Sequence, residues 1–149
     1  MLFRSPNIVE VIDFGEESGS PYLVMEHLEG LALDAAIADE GRLSPERALA
    51  LLTPIADALA YAHDAGFVHR DVKPDNVFLA RTPGTGVVVP KLLDFGIAHG
   101  PESQDQKLTI TGATIGTPAY MAPEQAMGSS QIDARADQYA FAEIGRAHV

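Results

Sequence analysis

His69-Arg70-Asp71-Val72-Lys73-Pro74-Asp75-Asn76 sets an acid, a lysine and an amide in one short loop. Phosphoryl transfer from a nucleotide calls for those three groups. Asp71 can accept or orient the proton of an attacking hydroxyl, Lys73 can neutralise charge on the moving phosphoryl, and Asn76 can hold a metal ion through its side-chain oxygen. Taken alone, an Asp and an Asn in such a loop are ordinary solvated turn residues. Two later stretches change their weight. Asp94-Phe95-Gly96, 94 − 71 = 23 residues further on, offers a second hard oxygen ligand suited to Mg²⁺, and Ala122-Pro123-Glu124 follows. Three ordered motifs within 149 residues leave little room for coincidence.

In sequence and spacing these stretches resemble the eukaryotic-type protein kinase family, whose signatures are H-R-D-x-x-x-x-N, D-F-G and A-P-E. Lys73, and Thr117 within Gly116-Thr117-Pro118-Ala119-Tyr120-Met121-Ala122-Pro123-Glu124, are similar to the serine/threonine branch in its bacterial form. The resemblance implies a cytoplasmic serine/threonine protein kinase, or the cytoplasmic part of a membrane-anchored one, that uses ATP and Mg²⁺ on a protein Ser/Thr substrate. It gives catalytic roles to Asp71, Lys73, Asn76 and Thr117 and makes Asn76 and Asp94 the metal ligands. The implied fold is α/β (α+β), protein-kinase-like and partial. Residues 1–28 correspond to the end of an N-lobe sheet and the hinge, and residues 29–142 to the first part of a mainly helical C-lobe. The family's Gly-rich loop, strand lysine and helix glutamate find no counterpart, since Gly15 and Gly19 are too far apart and no lysine precedes Lys73. With half of the nucleotide clamp missing, the chain by itself is expected to be inactive.

On the nucleotide side, Met25 falls at the gatekeeper position and Glu26-His27-Leu28 resembles the hinge that would hydrogen-bond adenine. Phe78 resembles the apolar floor beneath the ring. Met25 and Phe78 would equally suit the core of any α/β fold. His69 and Phe95, with Val11 above, resemble members of a stacked spine, and a structural role is expected for His69. The remaining histidines show no metal-ligand spacing. Arg70 is placed to pair with a phosphate on the following segment, where Thr109, Thr111 and Thr114 are the candidate phosphosites.

The secondary-structure signals are mixed. Ile8 to Phe14 and Tyr22 to His27 read as a hairpin around a polar turn, and Leu31 to Asp39 as a short helix. Ser44-Pro45-Glu46 is a helix start, after which Ala48, Leu52, Ile55, Leu59 and Ala62 recur at helical spacing. Pro54 is expected to bend that helix. Short strands are expected at Val77 to Ala80 and Lys91 to Leu93, and a further helix from Asp133. The last seven residues, Glu143-Ile144-Gly145-Arg146-Ala147-His148-Val149, resemble the in-frame translation of a sequencing adapter and are set apart as a non-native tail.

Hydrophobic residues make up 46% of the chain and charged residues 21%, enough apolar material for a core. No run of 18 apolar residues occurs, so no membrane contact is expected in this segment. The absence of cysteine excludes disulfides and thiolate metal sites. A formal net charge of −11 argues against nucleic acid or anionic membrane as partners. Two other readings remain open: a pseudokinase or scaffold, against which the intact Asp71, Asn76 and Asp94 argue, and a small-molecule phosphotransferase, against which Lys73 and the 116–124 run argue.

Overall fold

Glycine turns, a Ser-Pro helix start and apolar periodicity punctuate the chain, and the computed structural model, which describes residues 5–94 and 118–149, follows most of them. In order come β1 (Val11–Glu17), β2 (Ser20–Met25), β3 (Gly30–Ala32), α1 (Leu33–Glu40), α2 (Pro45–Asp64), β4 (Val77–Arg81), β5 (Val88–Leu92), α3 (Pro123–Ala126) and α4 (Ala134–His148). Among the described residues the strands form an antiparallel hairpin, β1-β2, and an antiparallel three-stranded sheet, β3-β4-β5.

The hairpin turns tightly on Ser18 and Gly19, whose φ angles of 53° and 82° match the left-handed pair that a two-residue turn between twisted strands requires. Both strands therefore reach further into the polar stretch than its composition suggests, and Glu16 pairs with Pro21. Proline is tolerated there because a two-stranded ribbon has only edges. At the other end Ile8 leaves the hairpin. It forms a parallel bridge to Leu92, while the Val9 N–H donates to the Leu92 carbonyl (3.0 Å) and the Leu92 N–H to the Asn7 carbonyl (2.8 Å). The helix expected from Leu31 begins two residues later, because Gly30, Leu31 and Ala32 first pair with β4.

Helix α2 matches its sequence signals. The Arg47 N–H donates to Ser44 Oγ at 3.3 Å, and Pro45 occupies the first helical position. All five expected core positions are buried, joined by Leu51 and Ala58. The helix runs through Pro54 as one 20-residue element. It packs with Leu33 and Ile37 of α1, Val77 and Leu79 of β4 and Leu92 of β5 in a single apolar cluster.

Helix α4 does not stop at Ala142. Ala136, Ala140 and Ile144 fall on one face at spacings of four, all are buried, and Ile144 is fully enclosed. The Leu43 N–H donates to the His148 carbonyl (2.9 Å), and Tyr120 Oη hydrogen-bonds His148 Nε2 (2.6 Å). Six of the seven residues set apart as a tail, Glu143 to His148, thus continue the helix, and Ile144 packs in the core. The apolar period of the preceding turns carries through them.

Candidate active site

Between α2 and β4, residues 65–76 form a loop suspended from α4. Asp137 of that helix is wholly buried and accepts three hydrogen bonds. The His69 N–H reaches its Oδ2 at 2.7 Å, the Arg70 N–H its Oδ1 at 2.7 Å, and His63 Nε2 its Oδ2 at 2.8 Å. A buried carboxylate without such partners would cost several kcal/mol. The His69 ring is fixed as firmly. Its Nε2 lies 2.7 Å from the Leu93 carbonyl, and its Nδ1 accepts the Asp71 N–H at 3.2 Å, so the proton is assigned to Nε2. Burial pushes the His69 pKa down, against the Leu93 carbonyl and the charges of Asp137, Asp71 and Asp94, which pull it up. His69 is the structural histidine that the sequence suggested.

Arg70 takes the left-handed conformation, with φ at 69°, which costs a non-glycine residue about 1–2 kcal/mol. The turn brings Asp71 out of the core, with 55% of its side chain exposed. Lys73 Nζ lies 2.8 Å from Asp71 Oδ2. A single 3₁₀ turn, Pro74–Asn76, folds the chain back so that Asn76 Nδ2 donates to the Asp71 carbonyl (2.7 Å) and to Asp71 Oδ2 (2.9 Å). One carboxylate oxygen is held by two donors, and among the described residues the other has none.

Asp94 arrives from β5. The Leu93 N–H donates to the Asn76 carbonyl at 2.8 Å, which places Asp94, itself left-handed at φ 45°, one residue beyond that contact. With Asn76 Nδ2 committed to Asp71, its Oδ1 has no donor among the described residues. An amide oxygen and one carboxylate, if brought together, would make a sparse, hard donor set. That set fits Mg²⁺, which keeps several waters and completes its shell with phosphate oxygens. Phe95, Gly96, Thr109, Thr111, Thr114 and Thr117 lie outside the described residues.

The residues expected to form the hinge sit at the end of β2. Met25 pairs with Val11 across the hairpin and is 39% exposed, so it does not have the core position that its apolar side chain also suited. His27 is exposed and Leu28 half-buried. Glu26 is tied down: its Oε1 accepts from Lys91 Nζ (2.6 Å) and from the Glu10 N–H (2.9 Å). Burial raises the Glu26 pKa, but the bonds to Lys91 and Glu10 and the Lys91 charge together hold the carboxyl below its ordinary range. Lys91 pairs across the sheet with Phe78, which is half-buried. Glu26 and Phe78 thereby both border Lys91, the first through the ion pair and the second as its cross-strand partner on the central strand β4.

The family model of the protein kinase domain matches residues 1–144. The chain belongs to the protein kinase family. It is 44% identical over 143 residues to the serine/threonine-protein kinase Pkn1 of Myxococcus xanthus, covering 96% of this chain and 20% of that protein. It is 40% identical over 140 residues to the serine/threonine-protein kinase PknB of Mycobacterium tuberculosis, covering 91% of this chain and 21% of that one. The crystal structure of the Mycobacterium tuberculosis PknI kinase domain superposes with a TM-score of 0.72 at 36% identity, covering 94% of this chain and 48% of the solved one. The kinase segment described here thus spans about a fifth of those curated relatives and about half of that solved domain.

Within this kinase segment Asp71 contacts both Lys73 and Asn76, and Asp94 stands one residue beyond the Leu93–Asn76 contact. Three further residues matter to the site and were not singled out on the sequence: Asp137, His63 and Gln125. The signal for Asp137 was present. It stands next to Ala136 on the apolar stripe of α4, and a charge on a buried stripe implies buried donors. His63 and Gln125 carried no such mark.

Proposed function

We propose that these residues form the catalytic and metal-binding loops of an ATP- and Mg²⁺-dependent serine/threonine protein kinase. The observation that carries this reading is the Asp71 carboxylate, exposed, with one oxygen gripped by Lys73 and Asn76 at 2.8 and 2.9 Å and the other, without a donor among the described residues, placed to take a hydrogen bond from an incoming hydroxyl. Asp71 orients the hydroxyl of a protein Ser or Thr and accepts its proton, while Lys73 sets positive charge beside the transferring group. Mg²⁺, when bound with ATP, would be held by Asn76 Oδ1 and Asp94 and would neutralise phosphate charge. Glu26, His27 and Leu28 would present backbone groups to adenine, with Met25 and Phe78 bounding the ring. Thr117 would line the substrate groove beside Asp71. The guanidinium of Arg70 has no ion-pair partner among the described residues and would take a phosphate on Thr109, Thr111 or Thr114.

The test separates chemistry from binding. In the full-length kinase carrying this segment, Asp71→Asn is expected to cut phosphotransfer by about 10²–10⁴-fold with nucleotide affinity nearly intact. Asp94→Asn should instead weaken Mg²⁺-dependent nucleotide binding. Equal loss of nucleotide binding in both variants would contradict the assigned roles.

A further inference from the structure

We propose that Gln125 is a positioning residue for the transfer step: from α3 it clamps the Arg70–Asp71 peptide and so holds the aim of the Asp71 carboxylate, an inference that rests on the phosphotransfer reading above. Its side-chain Nε2 donates to the Arg70 carbonyl at 2.8 Å. The N–H of the same peptide unit belongs to Asp71 and is held by His69 Nδ1 at 3.2 Å. The peptide plane immediately before the catalytic carboxylate is therefore gripped at both ends, by an amide from one side and an imidazole from the other. That grip matters at this position. Arg70 is left-handed, with φ at 69°, and a strained residue relaxes most easily by rotating an adjoining peptide unless its polar groups are tied. Rotation there would change φ of Asp71 and swing its Cβ, and small displacements of a reacting group can cost about 10²-fold in rate.

The direction of the clamp is fixed by a second bond. Gln125 Oε1 accepts the Ala122 N–H at 3.2 Å, so turning the amide over would lose both contacts. Ala122 is fully buried and begins Ala122-Pro123-Glu124, the third of the motifs from which the family resemblance was read. Through one side chain the start of α3 is coupled to the catalytic loop. Tyr120 and Met121 complete a small cavity against Arg70, Asp71 and Lys73, into whose wall Gln125 is built.

The experiment uses the full-length kinase with Gln125→Glu and Gln125→Met. Glutamate keeps the acceptor for Ala122 and removes only the donor to Arg70; methionine removes both. Gln125→Glu is expected to lower kcat about tenfold or more with KM for ATP within twofold, and to speed amide exchange at Asp71 about tenfold while α2 is unchanged. A role confined to shaping α3 would instead spare Gln125→Glu and impair only Gln125→Met. Wild-type kcat in Gln125→Glu overturns the clamp. An inactive wild type, or an Asp71→Asn variant as active as wild type, overturns the phosphotransfer reading instead. The clamp is then judged by exchange at Asp71 alone, where an unchanged rate in Gln125→Glu overturns it.

Discussion

His69 shows how closely one side chain can be specified. Its Nδ1 must keep a lone pair for the Asp71 N–H and its Nε2 must carry the proton for the Leu93 carbonyl, so only the neutral ring serves. Burial agrees with that requirement by holding the pKa below its ordinary imidazole value. The consequence for stability has a definite sign. Below about pH 6.5 the unfolded chain takes up a proton that the folded chain refuses, so stability rises with pH from the depressed value up to the ordinary one. A melting series from pH 5 to 7.5 should rise in that direction. His69→Gln, which cannot titrate, should be less stable throughout and show a flatter rise, the other histidines contributing equally to both proteins. Parallel slopes would show that the ring is not held neutral. The sequence marked His69 as structural through its resemblance to a member of a stacked apolar spine. Its partners, two, 24 and 68 residues away, could not be read there.

At the level of single elements, α2 and β3 stand at opposite ends of legibility. Ser44-Pro45 and the apolar repeat that follows are local signals, each strong enough to act before any tertiary contact forms, and the helix lies where they point. Strand β3 has three residues and no periodicity of its own. It exists because Gly30, at φ 151°, lets the chain approach β4 so closely that a Cβ there would run into the Leu79 carbonyl oxygen. Backbone cannot step aside as a flexible side chain can. Gly30→Ala should therefore cost about 1–3 kcal/mol in denaturant unfolding, more than the propensity difference in a strand would suggest. A cost below half a kcal/mol would mean that β3 pairs without needing the close approach.

Across the described residues, the hairpin stands out as little buried. Phe14 is 77% and Ile12 63% exposed, so β1-β2 buries little of its own surface. What ties it to the three-stranded sheet is concentrated at its base: the Ile8–Leu92 bridge, the Asn7 Nδ2 bond to the Pro90 carbonyl (2.8 Å) and the Glu26–Lys91 ion pair (2.6 Å). The ion pair is mostly shielded, with side-chain exposures of 16% for Lys91 and 26% for Glu26. Removing one partner leaves a desolvated carboxylate behind. Lys91→Met is thus expected to weaken the attachment by about 1–2 kcal/mol. In amide exchange that appears as a several-fold to tenfold faster rate across β1 and β2, with α2 unaffected. A uniform acceleration across both would show that the pair supports the whole fold and not the hairpin alone.

The family, the order of its motifs and the helix that carries the core were legible in the chain, because cap residues, turn glycines and a 3.6-residue period act over a few neighbouring positions. Asp71, Lys73 and Asn76 were legible for the same reason, since five residues and one 3₁₀ turn suffice to bring them together. What holds them was not. Asp137 lies 68 residues from His69, Gln125 lies 55 from Arg70, and Lys91 lies 65 from Glu26. Each is an ordinary helix or strand residue until folding removes water from around it. Desolvation then turns an unpaired polar group from a neutral feature into a cost of several kcal/mol, and the arrangement that satisfies every such group is selected by the packed whole.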